Sequence, residues 1–140
     1  MRRGAYLESR VNEILEILRT HGIFGQKSHA ERSHAGQYRK GEAFDYLVIS
    51  HGRMVCFDAK ECHEPHWNLK KNAKQSQVEN LSLCKRNGAD AFFLVFFVLE
   101  NRLVKFDVDL VIEAQAHNMK SLQSKHGEPW NWEELLKEVA

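Results

Sequence analysis

The sequence has little of what marks secreted, membrane-embedded or linker-rich proteins. It contains three cysteines, Cys56, Cys62 and Cys84, an odd number without framework spacing. A small secreted domain normally pairs its cysteines, so this count points to a reducing, intracellular setting. Proline occurs only twice, which leaves no proline-rich linker. The longest apolar run, Ala91–Leu99, is far shorter than the ~20 residues a membrane helix needs. Two arginines follow Met1 without an apolar stretch behind them, so no signal peptide is expected. No internal repeat is visible. The expectation is a cytoplasmic protein with no membrane contact.

What is present is ordinary for a globular domain. Of 140 residues, 43% are apolar and 28% charged, which excludes a disordered chain, a collagen and a coiled-coil rod. A chain of this size buries roughly 70% of its unfolded surface and needs no staples. The net charge of +1 hides a division: residues 1–86 carry +5 and residues 87–140 carry −4. Such asymmetry suggests one face suited to an anion and another to solvent or a partner.

Leu7, Val11, Ile14, Leu15 and Leu18 recur at helical spacing and predict a helix over about 5–21, stopped by Gly22. Gln26–Gly41 is rich in Gly, Ser and His and reads as a loop, carrying the basic residues Lys27, Arg32, Arg39 and Lys40. Phe44–Ser50 and Arg53–Lys60 read as strands joined by a His51-Gly52 hairpin turn. After an irregular stretch, with a short strand near Trp67–Leu69, Ala73–Asn87 reads as a helix ending at Gly88. Ala91–Leu99 reads as a strand buried on both faces, and Arg102–Asp107 as its neighbour. A weaker helix is expected over Asp109–Asn118, then a loop over Ser121–Pro129. Asn131 and Glu134 stand at capping-box spacing for a last helix. The expectation is one α/β domain over 1–140, with its core in about 4–108 and an acidic helical tail over 109–140.

The hairpin carries the chemistry. A two-residue turn at His51-Gly52 pairs Ser50 with Arg53 and so sets Asp45 opposite Asp58. Alternation puts Met54, Cys56, Asp58 and Lys60 on that same face. Like charges directly opposite are destabilising unless something positive lies between them. Lys60 is one candidate and a divalent cation the other. Hard oxygen ligands select Mg²⁺ or Mn²⁺, which can activate water and neutralise charge on a phosphodiester. The plainer alternative is a solvated hairpin end with an incidental Asp–Lys contact. Glu8 flanks the apolar stripe of the first helix and could reach the sheet end, although a first-turn Glu also simply suits the helix dipole.

Asp45 followed thirteen positions later by Asp58-Ala59-Lys60 resembles the D…(D/E)-x-K signature of the PD-(D/E)xK nucleases. Gly4…Glu8, Phe57–Glu61, Gln77–Leu81 and Gly88–Val95 add an order of features similar to the RecU-like Holliday junction resolvases, with archaeal Hjc resolvases alike in layout. The resemblance spans roughly residues 4–108. It implies a restriction-endonuclease-like core, a mixed central sheet flanked by helices (αβββαβ type). It implies metal-site carboxylates at Glu8, Asp45 and Asp58, a catalytic Lys60, and Gln77 near the metal. It further implies Mg²⁺, with Mn²⁺ substituting, and a homodimer acting on four-way DNA junctions in a bacterial or phage-infected cytoplasm. RecU proteins usually have Glu where this chain has Asp58, and many relatives have Pro where it has Phe44. The rival readings are a restriction- or repair-type nuclease for other DNA structures and a non-catalytic DNA-binding relative.

Lys70, Lys71 and Lys74 near Trp67 combine positive charge with an aromatic ring, a pairing suited to nucleic acid. Cys62, His63 and His66 lie close together, but their spacing is incomplete for zinc. They read as a polar loop in which a histidine could touch phosphate. The phenylalanines of 92–97 are expected in the core.

Overall fold

The computed structural model describes residues 5–27, 44–131 and 133. In chain order its elements are α1 (Ala5–Thr20), β1 (Phe24–Lys27), β2 (Tyr46–Ser50), β3 (Arg53–Cys62), β4 (Trp67–Asn68), α2 (Leu69–Asn72) and α3 (Gln75–Arg86). They continue with β5 (Asp90–Phe97), β6 (Arg102–Asp107), α4 (Val108–Ala116), β7 (Ser121–Leu122) and β8 (Glu128–Pro129). Six strands form one mixed sheet in the order β1-β2-β3-β5-β6-β8, with β3 and β5 parallel and the other neighbours antiparallel.

The β2–β3 hairpin has the register its turn predicts. Ser50 pairs with Arg53 and Tyr46 with Phe57. His51 and Gly52 both take positive φ, 49° and 81°, which is the type I′ geometry that matches strand twist. A row of rings then crosses three strands: Tyr46 on Phe57 at 5.2 Å and Phe57 on Phe92 at 5.3 Å. Each such pair contributes about 0.5–1.5 kcal/mol beyond its burial.

Strand alternation divides the core in two. Tyr46, Val48, Val55, Phe57, Phe92 and Leu94 face α1, which supplies Leu7, Val11, Leu15 and Leu18. Cys56, Phe93, Val95 and Phe97 face the other way, against Val78 and Leu81 of α3 and Val108 and Val111 of α4. The helical period of α1 and the buried phenylalanines thus stand as read. Phe97 is followed by a 3₁₀ turn, Val98–Glu100, and Asn101 closes it in the left-handed region at φ 52°.

Two segments differ from the sequence reading. Gln26–Lys27 is not loop: it completes β1, which pairs with β2 as an edge strand. Four residues with one buried position, Gly25, show no alternation to detect. Gly25 lies close against α1: a Cβ there would come 2.6 Å from Leu15 Cδ2, so that side chain would have to shift. The segment after Asp107 is built into both cores. Leu122 packs under β4, Trp130 under the α1 face, and β8 adds to the sheet beside β6. Gly127 permits this: a Cβ there would come within 2.7 Å of the Lys105 carbonyl. Asn131 accepts the Glu133 amide at 3.0 Å, while Glu134 lies outside the described residues.

Candidate active site

The site grows from the place where β2 stops and β3 continues. Their ladder ends at Tyr46 and Phe57, one residue short of the two aspartates. Beyond it the Ala59 amide donates to Asp45 Oδ2 at 3.2 Å, so a side chain replaces the missing backbone partner. Asp58 pairs instead toward β5, opposite Phe93. Asp58 is fully buried.

Neither Asp58 carboxylate oxygen has a hydrogen-bond donor. Lys60 Nζ stands 3.4 Å from Oδ2, with its own side chain partly exposed. Burial pushes the Asp58 carboxyl well above the usual carboxylate range, and the neighbouring Asp45 carboxyl adds to the rise, while Lys60 opposes it. Asp45, Asp58 and Lys60 therefore do converge on the face that alternation assigns them.

Gln77 lies in the first turn of α3. Because β3 and β5 are parallel, α3 returns the chain to the start of β5, and its first turn lies on the side where β3 ends. The Gln77 carbonyl oxygen is buried without a donor. Glu8, in the first turn of α1, meets Lys27 Nζ at 3.5 Å. Lys27 pairs across from Tyr46, so Glu8 also belongs to this end of the sheet.

Among the described residues, no group of three or more His, Cys, Asp and Glu is arranged to hold a metal ion. The donor set still fits a hard cation. Asp58 Oδ1 and Oδ2 and Gln77 Oε1 are buried acceptors lacking a donor, and Asp45 stands beside Asp58. A buried carboxylate in that condition is costly until a cation or proton neutralises it.

Lys70, Lys71 and Lys74 are exposed around the start of α3. Arg32, Arg39 and Lys40 lie outside the described residues. Trp67 is not available to bases. It is fully buried, stacked on Phe106 at 5.4 Å and tilted against Phe93 at 5.4 Å. The Cys62 thiol is buried and donates to the Glu64 and His66 carbonyls. A polar cleft of about 190 Å³ opens beside it, lined by Glu61, His63, His66, Asn68 and Lys71 among others.

Sequence reasoning missed Glu61. It sits one residue past Lys60, so alternation turns it to the opposite face, with Phe57 and Ala59. There Oε1 accepts the Leu7 amide of α1 at 3.0 Å, and Oε2 lies 3.3 Å from His63 Nε2. The alternation was legible; the partner 54 residues away was not.

The model of the family described as Recombination protein U matches residues 2–130, nearly the whole chain. The chain belongs to the RecU family. The match runs past residue 108 to the last strand, in keeping with the place of residues 108–130 in both cores of this RecU protein. Among solved structures, the Holliday junction resolvase Hjc of Archaeoglobus fulgidus matches with a TM-score of 0.55 at 14% identity, covering 84% of this chain and 91% of its own. At that identity the likeness is one of fold, and the RecU chain has the α/β, restriction-endonuclease-like fold. No curated protein sequence matches. No helix among the described residues is long and apolar enough to cross a membrane.

Proposed function

We propose that this RecU-family chain is a structure-selective DNA endonuclease that resolves four-way (Holliday) junctions by Mg²⁺-dependent phosphodiester hydrolysis. One observation carries the reading: a fully buried Asp58 carboxylate, without donors, beside Asp45 and 3.4 Å from Lys60. Perturbed buried carboxylates of this kind cluster at functional sites, where a bound cation offsets the cost of burial beyond what the single Lys60 contact supplies.

Asp45 and Asp58 would hold the ion, with Glu8 as the further carboxylate at this end of the sheet. When bound, Mg²⁺, or Mn²⁺ in its place, supplies a Lewis acid for the phosphodiester and an activated water. Lys60, partly exposed beside Asp58, would meet the phosphate and offset charge as it develops. Gln77 offers a carbonyl oxygen to orient water. The active unit spans residues 1–140 and works as a homodimer, because two opposed strands of a junction need two related sites. Light scattering without DNA should give twice the 16.3 kDa chain mass.

The deciding experiment incubates four-way junction, flap and linear duplex with Mg²⁺ or EDTA. Paired nicks in the junction, dependent on Mg²⁺, are expected. Equal cutting of all three would make the chain a general nuclease. Junction binding with no cutting in Mg²⁺ or Mn²⁺ would leave a non-catalytic DNA-binding protein.

Lys27, Lys70, Lys71 and Lys74, with Arg32, Arg39 and Lys40, would grip the DNA backbone. Contacts of this kind release counterions, so binding weakens with salt at a slope of about −0.9 per phosphate neutralised. Replacing Lys70, Lys71 and Lys74 together by Ala should flatten that slope and weaken all DNA shapes alike. An unchanged slope would place the DNA elsewhere.

A further inference from the structure

We propose that Glu61 is a positioning residue that locks the first turn of α1, and Glu8 with it, to the strand end presenting Asp58 and Lys60. The inference rests on the resolvase reading and assigns a role within that same site. The Glu61 side chain is only 5% exposed, and burying a carboxylate is costly unless its oxygens find partners. Here they are satisfied by an unusual pair. Oε1 accepts the Leu7 amide at 3.0 Å, one of the first-turn N–H groups that no helix can satisfy internally. Oε2 lies 3.3 Å from His63 Nε2, at the mouth of the polar cleft.

The carboxylate thus caps α1 from β3, across 54 residues of sequence, and meets the positive end of the helix dipole. Leu7 is itself buried, so its backbone is held from both sides. Glu8 is the next residue. Fixing the Leu7 amide fixes where the Glu8 side chain begins relative to Asp58 and Lys60. Glu61 projects from the face opposite these two, so it acts through α1 rather than on the reacting atoms.

Two conservative variants separate reach from charge. Glu61→Gln keeps an acceptor at the same distance and loses the charge. Glu61→Asp keeps the charge and is shorter by one methylene. Positioning predicts that Gln is tolerated and Asp is not. Glu61→Gln should cut junctions within about threefold of wild type. Glu61→Asp should lose about tenfold or more in kcat, as small misplacements do, with junction Kd unchanged. Hydrogen exchange of the amides at 5–10, measured without metal, should quicken in Glu61→Asp and not in Glu61→Gln. The reverse order, with Asp active and Gln inactive, would make Glu61 a charge at the site and overturn the proposal. Full activity in both would show the tie to be idle. If wild type cuts no junction, the resolvase reading falls, and the exchange data still decide: equal exchange in both variants overturns the tie.

Discussion

Asp58→Asn should abolish cleavage, leave junction binding intact, and make the metal-free protein more stable at neutral pH. Each part follows from the burial of one carboxylate. Asn keeps the shape of the side chain but removes the ligand charge. A metal contributes several kcal/mol to the transition state, so a loss of about 10³-fold or more is expected. The exposed lysines proposed to hold the DNA backbone are unchanged in this variant.

The stability change has the opposite sign. Folding raises the Asp58 carboxyl above its unfolded value, chiefly by burial. The folded chain therefore holds that proton to higher pH than the unfolded one. Its contribution is complete below the unfolded value of about 3.9 and is lost as pH rises through the raised folded value. An asparagine side chain does not ionise, so the Asp58→Asn variant lacks this decline. In EDTA at neutral pH its Tm should exceed that of wild type. Added Mg²⁺ should raise the wild-type Tm and leave the variant's unchanged. Melting curves from acid to neutral pH, with and without Mg²⁺, test the whole argument. Wild-type cutting by the variant would remove Asp58 from the mechanism. A lower melting point in EDTA would mean that its carboxylate is already satisfied in the metal-free fold.

What could be read from the sequence was local. A positive-φ turn at His51-Gly52 fixes register, and period two then carries that register to Asp45, Asp58 and Lys60 without any knowledge of the sheet. The stripe of α1 and the apolar run of β5 are equally local signals. The missed features are held by distant partners. Phe24–Lys27 becomes a strand because β2 offers an edge and Gly25 fits against Leu15. Residues 121–130 are held by β4, β6 and the α1-side core, and nothing in their own composition announces it. Glu61 reads as one more charge until the sheet brings Leu7 to it. Trp67 shows the same limit from the other side. Next to three lysines it resembles a base-stacking residue, and only the tertiary fold shows its ring enclosed.

Trp67→Ala should accordingly fail as a folding mutation and not as a DNA-binding one. Trp67 heads β4, which pairs with β7 through Leu122. Its ring lies flat on Phe106, 12° from parallel, and against Phe93, which pairs with Asp58 across β3 and β5. Truncating a buried ring of this size costs about 3–5 kcal/mol. Total stability for a domain is about 5–15 kcal/mol, so the variant would melt about 10 °C or more below wild type. Trp67→Phe should cost much less. It keeps most of the ring contact and deletes Nε1, a buried donor without an acceptor, which offsets part of the lost volume. Denaturant melts of both variants give the cost. Junction titrations at several salt concentrations, run where Trp67→Phe is fully folded, should return the wild-type affinity and slope, because no phosphate contact is lost. A Trp67→Ala protein that melted like wild type yet lost its hold on DNA would return the ring to the nucleic acid.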